Sequence, residues 1–240
     1  MDGILLIDKP SGWTSFDVVA KVRGQVKKAE SFGPNTVSKK GQQLRKRPRV
    51  GHAGTLDPLA TGLLVILVGI YCKRASEFTK MDKIYEVSMK LGVTSTTGDE
   101  EGEKQVTSSN VPSIKAVKLA FEKYTGEIMQ SPHAFSAVKI DGQRAYKLAR
   151  EGKEFVIEPR KVSIYSIRGL EYKYPVIKFT AKVSSGTYVR SLVEDMGHEL
   201  KTGAFMTDLR RTTIGSFNIE QAIDIDSLSP EQINSKLVLA

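Results

Sequence analysis

The segment Gly51–Gly62, GHAGTLDPLATG, gathers three glycines, one proline and one short acid in twelve residues. Asp57 is its only acidic side chain. A carboxylate with an ordinary pKa of about 3.9 is ionised at neutral pH and can act as a nucleophile or stabilise developing positive charge. Pro58 biases the Asp57 backbone away from helix, and the glycines allow close approach and positive φ. A loop followed by a buried strand is a good platform for a catalytic group. The same pattern also fits a turn in which Asp57 only bonds neighbouring amides. Residue types alone leave both readings open.

Other chemistries find less support. The single cysteine, Cys72, excludes an internal disulfide framework and a Cys-rich zinc site, and His52, His133 and His198 are scattered. No G-x-S-x-G, H-E-x-x-H or Cys/His nucleophile pattern is present, which makes an unrelated basic hydrolase a weak reading. The charge is more informative. Thirty-six Lys and Arg against 27 Asp and Glu give +9 and a pI near 9.5, which suits a polyanionic partner, nucleic acid being the commonest. The run KKGQQLRKRPR concentrates Lys39, Lys40, Arg45, Lys46, Arg47 and Arg49 without an acid. It reads as part of a flexible basic loop over about 27–49, either contacting phosphates or standing as a solvated insertion.

The elements that must position Asp57 follow from hydrophobic spacing. Residues 3–8 read as a strand, and Thr14 with Asp17 as a helix start. Phe16, Val19, Val22 and Val26 then give a helix over roughly 15–28. LLVILVG after Gly62 suits a strand buried on both faces, followed by a short helix from Tyr71. Tyr85, Val87, Met89 and Leu91 alternate with polar residues as a half-buried strand, on whose apolar face the pattern alone makes Tyr85 a core tyrosine by default. Thr94–Glu103 reads as an acidic connection, and Ile114, Val117, Phe121 and Tyr124 as a helix closed by Gly126. Strands are expected at 128–140, 161–170 and 176–184, with helices after Gly142 and Gly186. The irregular alternation predicts an α+β fold with a mixed sheet, in a single domain over 1–240. The N-terminus has no basic n-region, and Leu63–Ile70 is far short of the roughly 20 residues that cross a bilayer, so the expected location is cytoplasmic, without membrane contact.

VGHAGTLDPLATGLL (50–64) resembles the signature of the TruB family of tRNA pseudouridine synthases. GILLIDKPSGWTS, KIYEVSMKLG with the threonine-rich stretch from Thr94, QSPHAFSAVKIDGQRAYKLAREG (130–152), SSGTYVRSL (184–192) and LRR (209–211) resemble further family segments in the same order, over about residues 3–217. The basic loop is longer than the family's usual connection, and little chain follows the last motif for a separate C-terminal RNA-binding (PUA) domain. The resemblance implies a pseudouridine synthase fold, its mixed sheet largely antiparallel and flanked by helices, with an RNA-gripping thumb near 130–152. It implies isomerisation of uridine 55 in the TΨC arm of tRNA after base flipping. Asp57 would be the nucleophile, Tyr85 would stack on the base and could also take its C5 proton, and Arg190 would pair with the aspartate. Tyr188 would be a second pocket aromatic, Leu209 would border the base and His52 would touch the T-loop, with Lys9 and Lys73 as phosphate or pocket contacts. The reaction implies no cofactor and no metal, and the expected state is a monomer without an obligate protein partner. A non-catalytic tRNA-binding or RNA-folding protein is the alternative, against which Asp57, Tyr85 and Arg190 all stand at matching positions.

Overall fold

The computed structural model describes residues 1–31 and 48–239, the side chain of Ser31 excepted. Most of the expected basic loop, including Lys39, Lys40, Arg45, Lys46 and Arg47, therefore lies outside the described residues; Arg49 lies within them. The chain divides into two compact units, Met1–Met81 with Arg210–Ala240, and Asp82–Leu209.

The first unit begins with β1 (Gly3–Lys9) and α1 (Ser15–Ser31), followed by β2 (Val50–Ala53), β3 (Thr61–Val68), a 3-10 turn (Gly69–Arg74) and α2 (Ala75–Thr79). The second holds β4 (Lys83–Leu91), β5 (Val93–Ser95), β6 (Lys104–Val106), α3 (Ile114–Lys123), β7 (Gly126–Gln130), β8 (Lys139–Ile140), β9 (Gln143–Arg144), α4 (Ala145–Arg150), β10 (Arg160–Lys173), β11 (Val176–Val183) and α5 (Val189–Glu199). The division falls within β12 (Ala204–Ile214), after which β13 (Phe217–Asn218), β14 (Ile223–Asp224) and α6 (Pro230–Lys236) complete the first unit.

In the first unit, β1 pairs antiparallel with β3 over its whole length and parallel with β14. The other edge of β3 carries antiparallel β2 and, at Thr61 and Gly62, parallel β12. Both faces of this mixed sheet are buried, as the unbroken apolar run predicts. Leu5, Ile7, Leu64, Ile66 and Val68 pack with Val18, Val19, Val22 and Val26 of α1. Ile4, Leu6, Leu63, Val65 and Leu67 pack on the other side with Tyr71, Phe78 and Ile214. Helix α1 starts where expected: Asp17 accepts from the Thr14 amide at 2.9 Å and its hydroxyl at 2.6 Å, and the Asp17 amide donates back to the Thr14 hydroxyl. Phe16 does not join the buried stripe. It is 73% exposed, because this start puts Val18 on the inner face and turns Phe16 away.

In the second unit, β4, β11, β10 and β7 form an antiparallel run in that order. Its inner face carries Val87, Met89, Ile177, Phe179, Ala181, Val162 and Ile164, all buried. Phe121 of α3 meets Phe179 edge-on at 4.9 Å. The α+β expectation holds, with parallel pairs in the first unit and antiparallel pairing dominant. Two local expectations are corrected. Thr94–Glu103 is no plain connection but the turn region of the β5–β6 hairpin, with Asp99 buried inside it. The strand expected over 128–140 stops at Gln130, and a separate hairpin follows, turning at Asp141 and Gly142 with φ 47° and 83°. Strand β12 and helix α6 were not anticipated.

Candidate active site

In the first unit, the Asp57 loop is tied from beneath by three buried polar side chains. Lys9, fully buried, donates from Nζ to the Pro58 carbonyl at 3.0 Å, Trp13 at 2.7 Å and Pro10 at 2.8 Å. Arg211, 1% exposed, donates to the carbonyls of Leu63 at 2.8 Å, Gly54 at 3.0 Å and Thr55 at 3.4 Å. The Ser15 hydroxyl accepts the Leu56 amide at 3.0 Å and stands 3.1 Å from its carbonyl. The Gly12 amide adds a bond to Pro58, and the Ala60 amide closes the turn on the Asp57 carbonyl. Buried carbonyls must find donors, and here cationic side chains supply them, the stronger kind of bond. The loop backbone is thereby tied at Gly54, Thr55, Leu56 and Pro58, while Asp57 itself stays half-buried.

Of the two roles expected of Lys9, phosphate contact or pocket contact, its burial beside the Asp57 loop fits the second. A fully buried ammonium committed to three carbonyls does not reach an RNA phosphate; it props the loop instead. Burial pushes its pKa down to about 8, the nearby Asp57 charge opposing that shift and Arg211 adding to it. His52 lies on β2 beside the loop, its ring 5.2 Å from that of Phe16. Burial lowers its pKa, with Arg211 contributing, and its Nδ1 is buried without a hydrogen-bond partner. The imidazole is thus held towards its neutral form. Lys73 is exposed on the 3-10 turn after β3.

In the second unit, Arg190 sits in the first turn of α5 and is buried. It donates to Asp99 at 3.2 Å and to the carbonyls of Thr97 at 3.0 Å and Phe135 at 2.8 Å. Tyr188 directly precedes α5, with Arg160 stacked over its ring at 5.0 Å. Tyr85 is buried on β4 opposite Ala181, in line with Val87 and Met89. Leu209 is buried on β12. Sequence reasoning missed Ser15, Asp99 and Arg211 as support residues. Arg211 lay within the LRR motif, and Asp99 closed the threonine-rich stretch after Thr94, but nothing in either pattern marks burial. Among the described residues no group of His, Cys, Asp or Glu is arranged to hold a metal ion.

Residues 41–189 match the model of the TruB family pseudouridylate synthase N-terminal domain, and residues 190–237 match the tRNA pseudouridylate synthase B C-terminal domain. The tRNA pseudouridine synthase B of Clostridium novyi is 38% identical over 99% of this chain and 76% of its own length. The one from Endomicrobium trichonymphae is 39% identical over 99% of this chain and 96% of its own length. Among solved structures, a Cbf5–Nop10–Gar1 complex matches with a TM-score of 0.66 and 29% identity, over 94% of this chain and 53% of the matched chain. An H/ACA RNP bound to a substrate RNA containing 2'-deoxyuridine matches at 0.63 and 26%, over 94% and 52%. The chain thus spans about half the length of those two structural relatives. The family models together run from residue 41 to 237, and the first of them takes in the Asp57 loop, Tyr85 and Tyr188. The chain belongs to the TruB family of pseudouridylate synthases.

Proposed function

We propose that the protein isomerises uridine to pseudouridine at position 55 in the TΨC arm of tRNA, with Asp57 as the nucleophile. The observation that carries this reading is the Asp57 loop, whose carbonyls are tied down by Lys9, Ser15 and Arg211 while its carboxylate bearer remains half-buried. Preorganised backbone around one acid is what a catalytic carboxylate needs, and a plain surface turn does not require two buried cations beneath it.

The reaction breaks the N1–C1′ glycosidic bond, turns the uracil and joins C5 to C1′; C5 loses a proton and N1 gains one. One bond within the nucleotide replaces another, so no electron acceptor enters the balance. The target base is first extruded from the folded T-arm, at a cost on the order of a few kcal/mol of stacking. Asp57 attacks or stabilises the electron-poor carbon. Tyr85 stacks on the flipped base and takes the C5 proton. Arg190 pairs with the aspartate, Tyr188 and Leu209 border the base, and His52 contacts the T-loop. The protein acts on tRNA as a monomer in the cytoplasm.

The test is incubation of the protein with an unmodified tRNA transcript, followed by pseudouridine mapping, with Asp57→Ala as control. Pseudouridine at position 55 that disappears in the variant supports the proposal. Bound tRNA without any pseudouridine in the wild type would overturn it in favour of a non-catalytic RNA-binding protein.

A further inference from the structure

Two residues outside the roles assigned above converge on Tyr188. Gln130 ends β7, is 1% exposed, and stands opposite Arg160, the first residue of β10. Opposed residues in an antiparallel ladder project to the same face, so one pair can serve one neighbouring segment. Here that segment is 184–188, between β11 and α5. The Gln130 amide oxygen accepts the Tyr188 N–H at 2.8 Å, and its amide nitrogen donates to the Tyr188 carbonyl at 3.1 Å. That carbonyl also accepts the Leu192 N–H at 3.1 Å, which opens α5. The Tyr188 backbone is therefore fixed on both sides.

Arg160 fixes the ring. Its guanidinium carbon lies 5.0 Å from the Tyr188 ring centroid, and its Nη2 donates to the Gly186 carbonyl. Gly186 has φ +85°, and a Cβ there would stand 3.4 Å from the same guanidinium. The Arg160 Nε is buried with no hydrogen-bond partner. An unsatisfied buried donor in a native protein calls for a compensating role, and the stack on Tyr188 supplies one.

We propose that Gln130 and Arg160 are positioning residues for the isomerisation, acting through Tyr188. Gln130 holds its backbone and Arg160 covers one face of its ring, so the ring is already oriented when the uracil arrives. The proposal rests on the reading of Tyr188 as a pocket aromatic. The pair sets how fast a bound uridine reacts and leaves the affinity for tRNA unchanged.

The experiment measures single-turnover pseudouridine formation at saturating tRNA transcript, together with tRNA binding, in the full chain. Arg160→Ala and Gln130→Leu are each expected to slow the reaction by roughly 10- to 100-fold, the scale of a misplaced catalytic group. Their dissociation constants for tRNA should stay within about threefold of wild type, as for a loss confined to the transition state. Arg160→Lys, which keeps a cation over the ring, should recover part of the rate. In a Tyr188→Ala background, Arg160→Ala should add no further loss. Rates within about twofold of wild type in both single variants would overturn the proposal. So would a defect confined to tRNA affinity, or a full additional loss in the Tyr188→Ala background. Should Arg160→Ala or Gln130→Leu fail to fold, Arg160→Lys against Arg160→Gln decides: a faster lysine variant supports the stack, and equal rates overturn it. Wild-type protein that makes no pseudouridine would instead overturn the function proposed above.

Discussion

Arg190 and Asp99 form an ion pair at 3.2 Å with side chains only 8% and 9% exposed. Asp99 reaches it from the turn between β5 and β6, where Thr97 and the Glu101 amide also bond its carboxylate. Removing one carboxylate from a buried arginine is costly. Asp99→Ala is expected to destabilise the protein by about 3 kcal/mol, measured by denaturant titration. If Arg190 acts in catalysis as proposed, Asp99→Asn should also slow pseudouridine formation at saturating tRNA while preserving most of the stability. Wild-type rates in Asp99→Asn would confine Asp99 to a structural role.

Lys9 gives a pH signature with two opposite signs. Below a pH of about 8 its ammonium supplies three N–H groups to three carbonyls; above it the neutral amine has only two. Activity should decline as pH rises through about 8, and Lys9→Gln should lack that limb. Stability runs the other way. The folded pKa lies below the ordinary lysine value of 10.5, so between about 8 and 10.5 the unfolded chain holds a proton that the folded chain has released. Stability therefore rises with pH across that window, and the stabilisation is lost as pH falls through about 8. Melting temperatures of wild type and Lys9→Gln across this range check the sign.

Ser15 and Gly62 test the loop's support without touching a charge. Ser15→Ala deprives the buried Leu56 amide and carbonyl of a partner, and should cost about 1–3 kcal/mol. Gly62 has φ +100°, and a Cβ there would overlap the Arg211 backbone on the paired strand. Gly62→Ala should cost at least about 3 kcal/mol, through strain and loss of this pairing. A melting temperature unchanged in both variants would show that the loop does not depend on these contacts.

The basic run Lys39–Arg49 is expected to contact tRNA phosphates. Neutralising Lys39, Lys40, Arg45, Lys46, Arg47 and Arg49 should weaken binding and flatten its salt dependence. Each lost phosphate contact should remove about 0.7–0.9 from the slope of log affinity against log salt. An unchanged slope would mean the run makes no phosphate contact.

The sequence made the core of the first unit legible because its signals are local. Thr14 and Asp17 mark a helix start by their spacing, and LLVILVG marks a doubly buried strand by its composition. Asp57 and the family signature around it were equally visible. What escaped were polar residues whose meaning depends on distant partners. Arg211 stood only as part of the LRR motif, yet it is buried under a loop some 150 positions away in the chain, while Arg210 pairs with Asp8. Lys9, in a turn beside Pro10, gave no sign that it would be fully buried. Asp99 stood among acids in a stretch without periodicity, so its pairing with Arg190 had no local trace. Strand β12 was hidden because charged Asp208, Arg210 and Arg211 interrupt its apolar pattern.

The three anchors of the Asp57 loop come from opposite ends of the chain: Lys9 and Ser15 near the start, Arg211 near the end. On the ribosome this sets an order of maturation. Residues 82–209 are contiguous, and all of their own contacts are available once they emerge. The first unit is interrupted, and its loop lacks a third of its props until Arg211 leaves the exit tunnel. A chain that stops short of Arg211 keeps the Lys9 and Ser15 contacts to Pro58 and Leu56 but lacks the guanidinium that binds the Gly54, Thr55 and Leu63 carbonyls.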